Sequence, residues 1–156
     1  MKILPTTCVK LYSEIPFAHR QPSHAGHCRF IHGHGWSFEI EFGCESKDEC
    51  GFVVDFGGLK GLKKILDDKF DHALVLNADD PLVNVPALDA VLEVTGRNLV
   101  LVPDCSAEGL AEHVLLLART YVESMTVGRV TVVRVTCYED SRNSAIAFNH
   151  DVEASK

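Results

Sequence analysis

The sequence predicts an α+β fold, in which a mainly antiparallel sheet carries two helices on one face in the order ββααββ. Three observations predict it. Near both ends of the chain, apolar residues recur at every second position, which is the period of a half-buried strand. In the middle, two segments have apolar residues three and four positions apart, which is the period of a helix. At 156 residues the chain has the length of one domain, so residues 1–156 are expected to share one core.

Two strands are predicted in the first third of the chain. The first has its apolar residues on odd positions: Val9, Leu11, Ile15 and Phe17. Continued along the chain, this parity points His19 inward as well. The second strand ends near Cys44 and has apolar side chains on its even positions. If it begins early enough, His32 and His34 project from its apolar face, beside the inward end of the first strand.

Two helices are predicted in the middle of the chain. The first has an apolar stripe at helical spacing: Leu59, Leu62, Leu66 and Phe70. We expect Asp55 to be its N-cap and the pair Asp71-His72 to lie at its far end. The second has a similar stripe: Leu110, Val114, Leu117 and Tyr121. Ser106 and Glu108 suit its N-terminus, and it is expected to end within residues 125–128.

The rest of the chain gives shorter elements. Between the helices, residues 79–81 have the composition of a turn and Leu99–Val102 that of a short strand. Two further strands are predicted at residues 130–139 and 145–148, joined by a polar turn. On the longer one, Val133, Val135, Cys137 and Glu139 share a face.

Composition excludes several classes of function. The net charge of -7 and a pI near 5.5 argue against a nucleic-acid partner, because such proteins need a basic surface to neutralise phosphates. No apolar run has the length of a membrane span, and the first residues do not resemble a secretory signal, so a cytoplasmic location is expected. The six cysteines are scattered without a Cys-x-x-Cys pair, and we interpret them as thiols.

The histidines indicate a metal site. Five of the eight lie within sixteen residues: His19, His24, His27, His32 and His34. Two histidines at positions i and i+2 of a strand place their imidazoles on one side of it. Their backbones are about 6–7 Å apart, close enough for the rings to share an ion with a third histidine from the neighbouring strand. Three nitrogen ligands without a fourth protein ligand are typical of a catalytic zinc site, whose open position takes substrate or water. His19, His32 and His34 are therefore candidate ligands of Zn²⁺.

This interpretation has an alternative, in which His32 and His34 are ordinary polar residues of a glycine-containing loop. His24 and His27 belong to the loop between the strands and could substitute as ligands.

Other residues near this segment could transfer protons. Cys28 can approach the metal region from the loop and act as a base or nucleophile, although most such cysteines are small buried apolar residues. Asp71 and His72 form a possible acid–base pair, but a histidine at a helix terminus can also simply interact with the helix dipole. Glu139 is either a buried ligand anchor or the exposed end of a strand.

Six motifs occur in a fixed order: AHR (18–20), CRFIHGH (28–34), GFVVDF (51–56), DHALVLN (71–77), SAEGLA (106–111) and CYED (137–140). In this order they resemble the 6-pyruvoyl-tetrahydropterin synthase and 6-carboxytetrahydropterin synthase family. The resemblance extends from about Tyr12 to Phe148. Its most specific part is Cys-x-x-x-His-Gly-His with an upstream Ala-His-Arg.

The resemblance implies a tunnelling fold (T-fold), in which the sheets of several subunits join into a barrel. It further implies a homohexamer built as a dimer of trimers, with active sites between subunits and a small pterin, 7,8-dihydroneopterin triphosphate, as substrate. It also implies a role for each candidate residue: zinc ligands in His19, His32 and His34, a thiolate base in Cys28, a proton relay from a neighbouring subunit in Asp71 and His72, and pterin contacts in Glu139 and Glu108.

The spacing within the cysteine motif favours one branch of this family. The three-residue gap between Cys28 and His32 is similar to that of the bacterial carboxy-forming enzymes of queuosine and deazapurine precursor synthesis, which also release acetaldehyde. The alternatives are a 6-pyruvoyl-tetrahydropterin synthase, which eliminates triphosphate without cleaving the side chain, and a non-catalytic pterin- or zinc-binding protein. A triphosphate substrate also needs local cations, such as Arg20, Arg29 or a lysine of the first helix.

Overall fold

The structure, a computed structural model, describes residues 1–96 and 98–154. Within these residues the chain forms eight strands and three α-helices. In chain order they are β1 (Lys2–Leu4), β2 (Thr6–His19), β3 (His32–Cys44), α1 (Lys60–Phe70), β4 (Leu74–Asn77), α2 (Pro86–Thr95), β5 (Leu99–Val102), α3 (Ala107–Met125), β6 (Val130–Tyr138), β7 (Ser144–Phe148) and β8 (Val152–Ala154). Short 3₁₀ turns occur at His27–Arg29 and Pro81–Asn84.

Six strands form the main sheet, in the order β5-β4-β2-β3-β6-β7. Strands β2, β3, β6 and β7 pair antiparallel, whereas β4 runs parallel to both β2 and β5. The remaining strands, β1 and β8, form a separate parallel pair. The predicted α+β class with a mainly antiparallel sheet is confirmed.

The core lies between the main sheet and the helices. The even positions of β3 from Trp36 to Phe42 are fully buried, as their period predicts. Against them pack the apolar stripes of α1 and α3, which include the fully buried Leu66, Phe70 and Val114. Burial of these side chains is the main contribution to the stability of the central strands β2 and β3, which carry the histidines.

The parity predicted for the first strand is wrong in its first half. Val9 and Leu11 were expected to face inward, but they are 45% and 51% exposed, while Tyr12 is 4% exposed. The reason is a β-bulge between Tyr12 and Ile15, where Glu14 has a φ of 59°. A bulge adds a residue to one strand and so reverses the alternation on one side of it. Beyond the bulge the predicted parity holds, and His19 is buried.

The start of the first helix also differs from the expectation that Asp55 caps it. Helix α1 begins only after Leu59, which makes no side-chain capping bond. Asp55 instead closes a turn before the helix, where its Oδ1 accepts a hydrogen bond from the Gly57 N–H at 2.8 Å. For α3 the expected cap is present, since Ser106 Oγ accepts a hydrogen bond from the Gly109 N–H at 3.1 Å.

Four elements were not predicted: the short terminal strands β1 and β8, and β4 and α2 in the middle of the chain. Strand β4 has no alternation to detect, because it is covered on both faces and its central residues Val75 and Leu76 are both fully buried. Helix α2 lies at the surface, and Val94 is 87% exposed. Its boundaries are nevertheless typical of a helix, with Pro86 in the first turn and Gly96 in the left-handed region at its C-cap.

The state of the cysteines and the character of the helices were also predicted. All six cysteines lie in the described residues and are free thiols, as predicted. No helix within residues 1–96 and 98–154 combines the length and the apolar character that a membrane crossing requires.

Candidate metal centre and active site

Strands β2 and β3 bring His19, His32 and His34 together. In the antiparallel register His19 lies opposite His32, and His34 lies opposite the residue two positions before His19. Side chains two apart on a strand share a face, so all three rings lie on the same side of the sheet. The ring centroids are 4.6 Å apart for His19 and His32, 5.0 Å for His32 and His34, and 5.5 Å for His19 and His34.

Backbone carbonyls orient two of these imidazoles. The Nδ1 of His19 lies 2.7 Å from the carbonyl oxygen of Cys105, and the Nδ1 of His32 lies 2.7 Å from that of Phe30. A carbonyl can only accept, so each Nδ1 carries the proton and each neutral ring keeps its lone pair on Nε2. This tautomer is the one that a metal ligand with a backbone partner adopts.

The ligand atoms of the three histidines converge with a carboxylate. One nitrogen from each histidine and one oxygen of Glu139 lie within 4.8 Å of one another. The Nε2 atoms of His19 and His34 are buried and have no hydrogen-bond partner within residues 1–96 and 98–154. Glu139 Oε1 is 3.3 Å from His34 Nε2 and 3.6 Å from His19 Nε2. Convergent lone pairs without donors fit a divalent cation, and a nitrogen-rich set of this kind suits Zn²⁺.

Burial keeps His19 in the form that binds a metal. The pKa of His19 is lowered to about 4, mainly by desolvation; the bond to the Cys105 carbonyl opposes this shift, and the neighbouring His32 and His34 add to it. Trp36 forms the wall beneath the cluster, with its ring centroid 4.8 Å from that of His19 and 5.2 Å from that of His34. The imidazole of His19 is therefore neutral at pH 7.

Cys28 lies in the loop that leads into His32 and His34. It belongs to the 3₁₀ turn His27–Arg29 and is partly buried. Its carbonyl oxygen accepts a hydrogen bond from the Gln21 N–H at 2.7 Å, which ties the loop to the end of β2. The Phe30 carbonyl that orients His32 follows two residues later. The loop that carries the thiol thus also orients one of the three clustered histidines.

Asp71 and His72 form a hydrogen-bonded pair just after α1. His72 Nδ1 lies 2.7 Å from Asp71 Oδ1, and the two side chains are 56% and 46% exposed. His72 has a φ of 58°, in the left-handed region, and its N–H donates to the Pro16 carbonyl oxygen at 2.6 Å. A turn fixed to β2, and not the helix itself, therefore positions this pair. A cleft of about 300 Å³ lies beside it, lined by Pro16, Phe17, Ala18, Gly33, His34, His72 and Ala73.

The two glutamates expected near the substrate lie on the same side of the sheet. Glu139 directly follows β6, which ends one residue earlier than predicted, and Glu108 lies in the first turn of α3. Both affect the buried thiol of Cys137, whose pKa is raised mainly by burial and then by the carboxylates of Glu139 and Glu108. Glu139 adjoins His19 and His34 directly. Glu108 is close enough to influence Cys137, which lies two residues before Glu139.

A buried ion pair beside the histidines was missed from the sequence. Arg20 donates to the Asp80 carboxylate through Nε at 2.8 Å and Nη2 at 2.5 Å, and Asp80 is 1% exposed. The guanidinium of Arg20 holds the pKa of Asp80 below its usual range. Residues 79–81 suggested only a turn, so nothing in the sequence linked them to Arg20. Because its charge is already neutralised, Arg20 is a poor candidate for the triphosphate cation.

The other candidate cations differ in their surroundings. The guanidinium of Arg29 lies over the Phe30 ring, 4.8 Å from its centroid. In α1, Lys63 and Lys64 each pair with an aspartate one turn later, Asp67 and Asp68. Arg29 is thus the candidate from the sequence that lies in the loop of Cys28 and His32.

Comparisons with known proteins identify the family. A family model described as 6-pyruvoyl tetrahydropterin synthase matches residues 8–150. A 6-carboxy-5,6,7,8-tetrahydropterin synthase of Rickettsia conorii is 34% identical over 102 residues, covering 64% of this chain and 71% of that protein. An enzyme of the same name from Aquifex aeolicus is 31% identical over 121 residues, covering 76% of this chain and 74% of that protein.

Solved structures share the fold at lower identity. An uncharacterised protein from Wolinella succinogenes superposes with a TM-score of 0.76 at 21% identity, covering 93% of this chain and 98% of that one. The 6-pyruvoyltetrahydropterin synthase of Plasmodium vivax gives a TM-score of 0.66 at 17% identity, covering 92% of this chain and 98% of that one.

Proposed function

Because the chain belongs to the 6-pyruvoyl tetrahydropterin synthase family, we propose that it is a zinc-dependent 6-carboxy-5,6,7,8-tetrahydropterin synthase. The substrate is 7,8-dihydroneopterin triphosphate, and the products besides the carboxypterin are triphosphate and acetaldehyde. The observation that carries the proposal is the convergence of three imidazoles, two of which present buried Nε2 atoms that have no hydrogen-bond partner in the part of the chain that the structure describes. The relatives that carry the name of the carboxy-forming enzyme favour this branch.

The proposed zinc ligands are His19, His32 and His34. When bound, the ion supplies Lewis acidity toward the side-chain oxygens of the substrate. Glu139 is the fourth group in the cluster, and we assign it to the amino and ring N–H groups of the pterin. Its Oε1 already lies beside the two unpartnered imidazole nitrogens, so a pterin bound there has its side chain directed toward the ligands. Glu108 is proposed to contact the pterin from α3.

Cys28 is proposed to act as the base that removes a proton from the substrate side chain. A thiol transfers a proton readily only when it can reach the thiolate form, which a nearby cation favours. The 3₁₀ turn of Cys28 precedes the Phe30–His32 contact by a few residues, which supports its place next to the ligands.

Asp71 and His72 are proposed to return the proton. The Asp71 carboxylate accepts from His72 Nδ1–H, so the imidazole keeps its Nε2 free to exchange a proton with the substrate. About half of each side chain is exposed in the single chain. This exposure supports the proposal that the pair serves the site of a neighbouring subunit. The proposed assembly is a homohexamer built as a dimer of trimers, and the proposed location is the cytoplasm. The proposed pathway is queuosine and deazapurine precursor synthesis.

Product analysis tests the proposed reaction. Zinc-loaded protein is incubated with 7,8-dihydroneopterin triphosphate, the pterin is identified by mass spectrometry, and acetaldehyde is trapped as a hydrazone. We expect 6-carboxytetrahydropterin and acetaldehyde in equal amounts. Triphosphate release with a pyruvoyl product and no acetaldehyde would instead establish the 6-pyruvoyl-tetrahydropterin synthase reaction. Pterin binding without any product would identify a non-catalytic binding protein.

A further inference from the structure

The orientation of His19 depends on a peptide group outside the sheet. The Cys105 carbonyl that accepts from His19 Nδ1 belongs to the connection between β5 and α3. Among the described residues this peptide belongs to no strand ladder, so the position of its carbonyl depends on the other contacts of the segment. The Ser106 N–H of the same peptide donates to Asp104 Oδ1 at 2.9 Å, and the Cys105 thiol donates to the Arg20 carbonyl oxygen at 3.1 Å. The N–H of Cys105, which belongs to the preceding peptide, makes a further contact.

Asn77 makes that contact. Its Oδ1 accepts a hydrogen bond from the Cys105 N–H at 2.7 Å. Asn77 is the last residue of β4, and two residues earlier in this strand Val75 pairs with His19. Strand β4 thus pairs with the backbone of His19 and also carries Asn77, whose side chain holds Cys105, the residue that contacts the His19 ring. Asn77 Nδ2 also points to Gln21 Oε1 at 3.4 Å, which links it to the segment just after His19.

We propose that Asn77 is a positioning residue of the metal centre, which acts by holding the backbone of Cys105 so that its carbonyl fixes the Nδ1–H tautomer of His19. This inference rests on the proposed metal-binding function of the histidines. Without Asn77 Oδ1, the Cys105 N–H loses its partner and the connection is held by fewer contacts, those of the Asp104–Ser106 turn and of the Cys105 thiol, so its carbonyl can shift away from the ring. The His19 proton can then move to Nε2, the atom that has to donate its lone pair. Residues that orient a metal-binding histidine through hydrogen bonds typically contribute about 10–100-fold to metal affinity.

The tautomer can be measured without any metal. In metal-free protein labelled with ¹⁵N, long-range ¹H–¹⁵N spectra show which ring nitrogen of each histidine carries the proton. For wild-type protein we expect His19 as the Nδ1–H form. For Asn77→Ala we expect a mixture of tautomers at His19, with no change at His32, whose partner is a different carbonyl.

Zinc affinity, measured by competition with a chromophoric chelator, gives the second readout. We expect Asn77→Ala to weaken zinc binding by about 10–100-fold. Asn77→Asp keeps an oxygen for the Cys105 N–H and should restore most of the affinity. Asn149→Ala is the control: the Asn149 side chain also bonds to the backbone, donating to the Val132 carbonyl oxygen, and it is more deeply buried than Asn77, but it makes no hydrogen bond with the histidines among the described residues. It should leave zinc affinity unchanged.

The outcomes separate this inference from the proposed function. If wild-type protein binds zinc, and Asn77→Ala binds it equally well with His19 still wholly in the Nδ1–H form, the role of Asn77 is refuted. An equal loss of affinity in Asn149→Ala would also refute it, because the effect would then reflect general destabilisation. If wild-type protein binds no zinc at all, the proposed metal site itself fails, whatever the variants do.

Discussion

Replacing Arg20 with methionine tests how strongly the buried ion pair beside His19 stabilises the fold. Methionine keeps much of the side-chain volume but leaves the Asp80 carboxylate without its two guanidinium bonds. One backbone bond to this carboxylate remains, from the Leu82 N–H at 2.8 Å. Removing one partner of a buried pair costs about 3–5 kcal/mol. We expect the lower end of that range, about 3 kcal/mol, because the Arg20 side chain is 22% exposed and its removal lets water approach.

Urea denaturation of the metal-free protein at pH 7 measures this cost. With a slope of about 2 kcal/mol/M for a chain of this size, a loss of 3 kcal/mol lowers the midpoint by roughly 1.5 M. The double variant Arg20→Met/Asp80→Leu should recover most of the loss, since no buried charge remains unpaired.

An exposed pair provides the control. The side chains of Lys64 and Asp68 are 73% and 63% exposed, so Lys64→Met should change the free energy of unfolding by less than about 0.5 kcal/mol. If Arg20→Met cost no more than Lys64→Met, the reasoning that places an essential charge pair beside the metal centre would be refuted.

Three further variants test separate parts of the account. Cys28→Ala should retain zinc by elemental analysis but lose at least about 10²-fold in turnover, and wild-type turnover would remove the thiol from the mechanism. Phe38→Ala should cost about 3–5 kcal/mol in urea denaturation, since Phe38 is fully buried, and a cost below 1 kcal/mol would contradict the packing. His113→Leu should flatten the pH dependence of stability. Burial lowers the pKa of His113 below its usual 6.5, so the unfolded chain binds the extra proton first and wild-type stability falls as the pH drops below about 6.5. Equal pH slopes in metal-free wild type and variant would refute this assignment.

The cluster of three histidines could be predicted from the sequence because the two-residue alternation of the paired strands β2 and β3 determines it. The alternation in β3 extends to His34 and His32, and pairing of adjacent strands brings in His19. Local spacing was sufficient to bring the three histidines together, whereas the orientation of the His19 ring depends on the distant Cys105 carbonyl. The same periodicity failed at Val9 and Leu11, because the bulge at Glu14 is a backbone feature that leaves no mark in the hydrophobic pattern.

The residues that support the histidine cluster could not be predicted from the hydrophobic periodicity of the sequence. Asn77, Asp80 and Cys105 lie at the ends of β4 and β5 or in the connections that follow them. The first of these strands has a short, continuous apolar run that gives no period, so its position beside β2 could not be inferred. Their partners in the chain are between 28 and 86 residues away. Contacts over such separations follow from the parallel arrangement of β2, β4 and β5, which only the three-dimensional structure supplies.

Elemental analysis of protein purified in the presence of zinc tests the central idea most directly. We expect one zinc ion per chain in the wild type and none in a variant in which His19, His32 and His34 are all replaced by alanine. A wild type that carries no zinc when the metal is plentiful, or a triple variant that binds as much as the wild type, would contradict it.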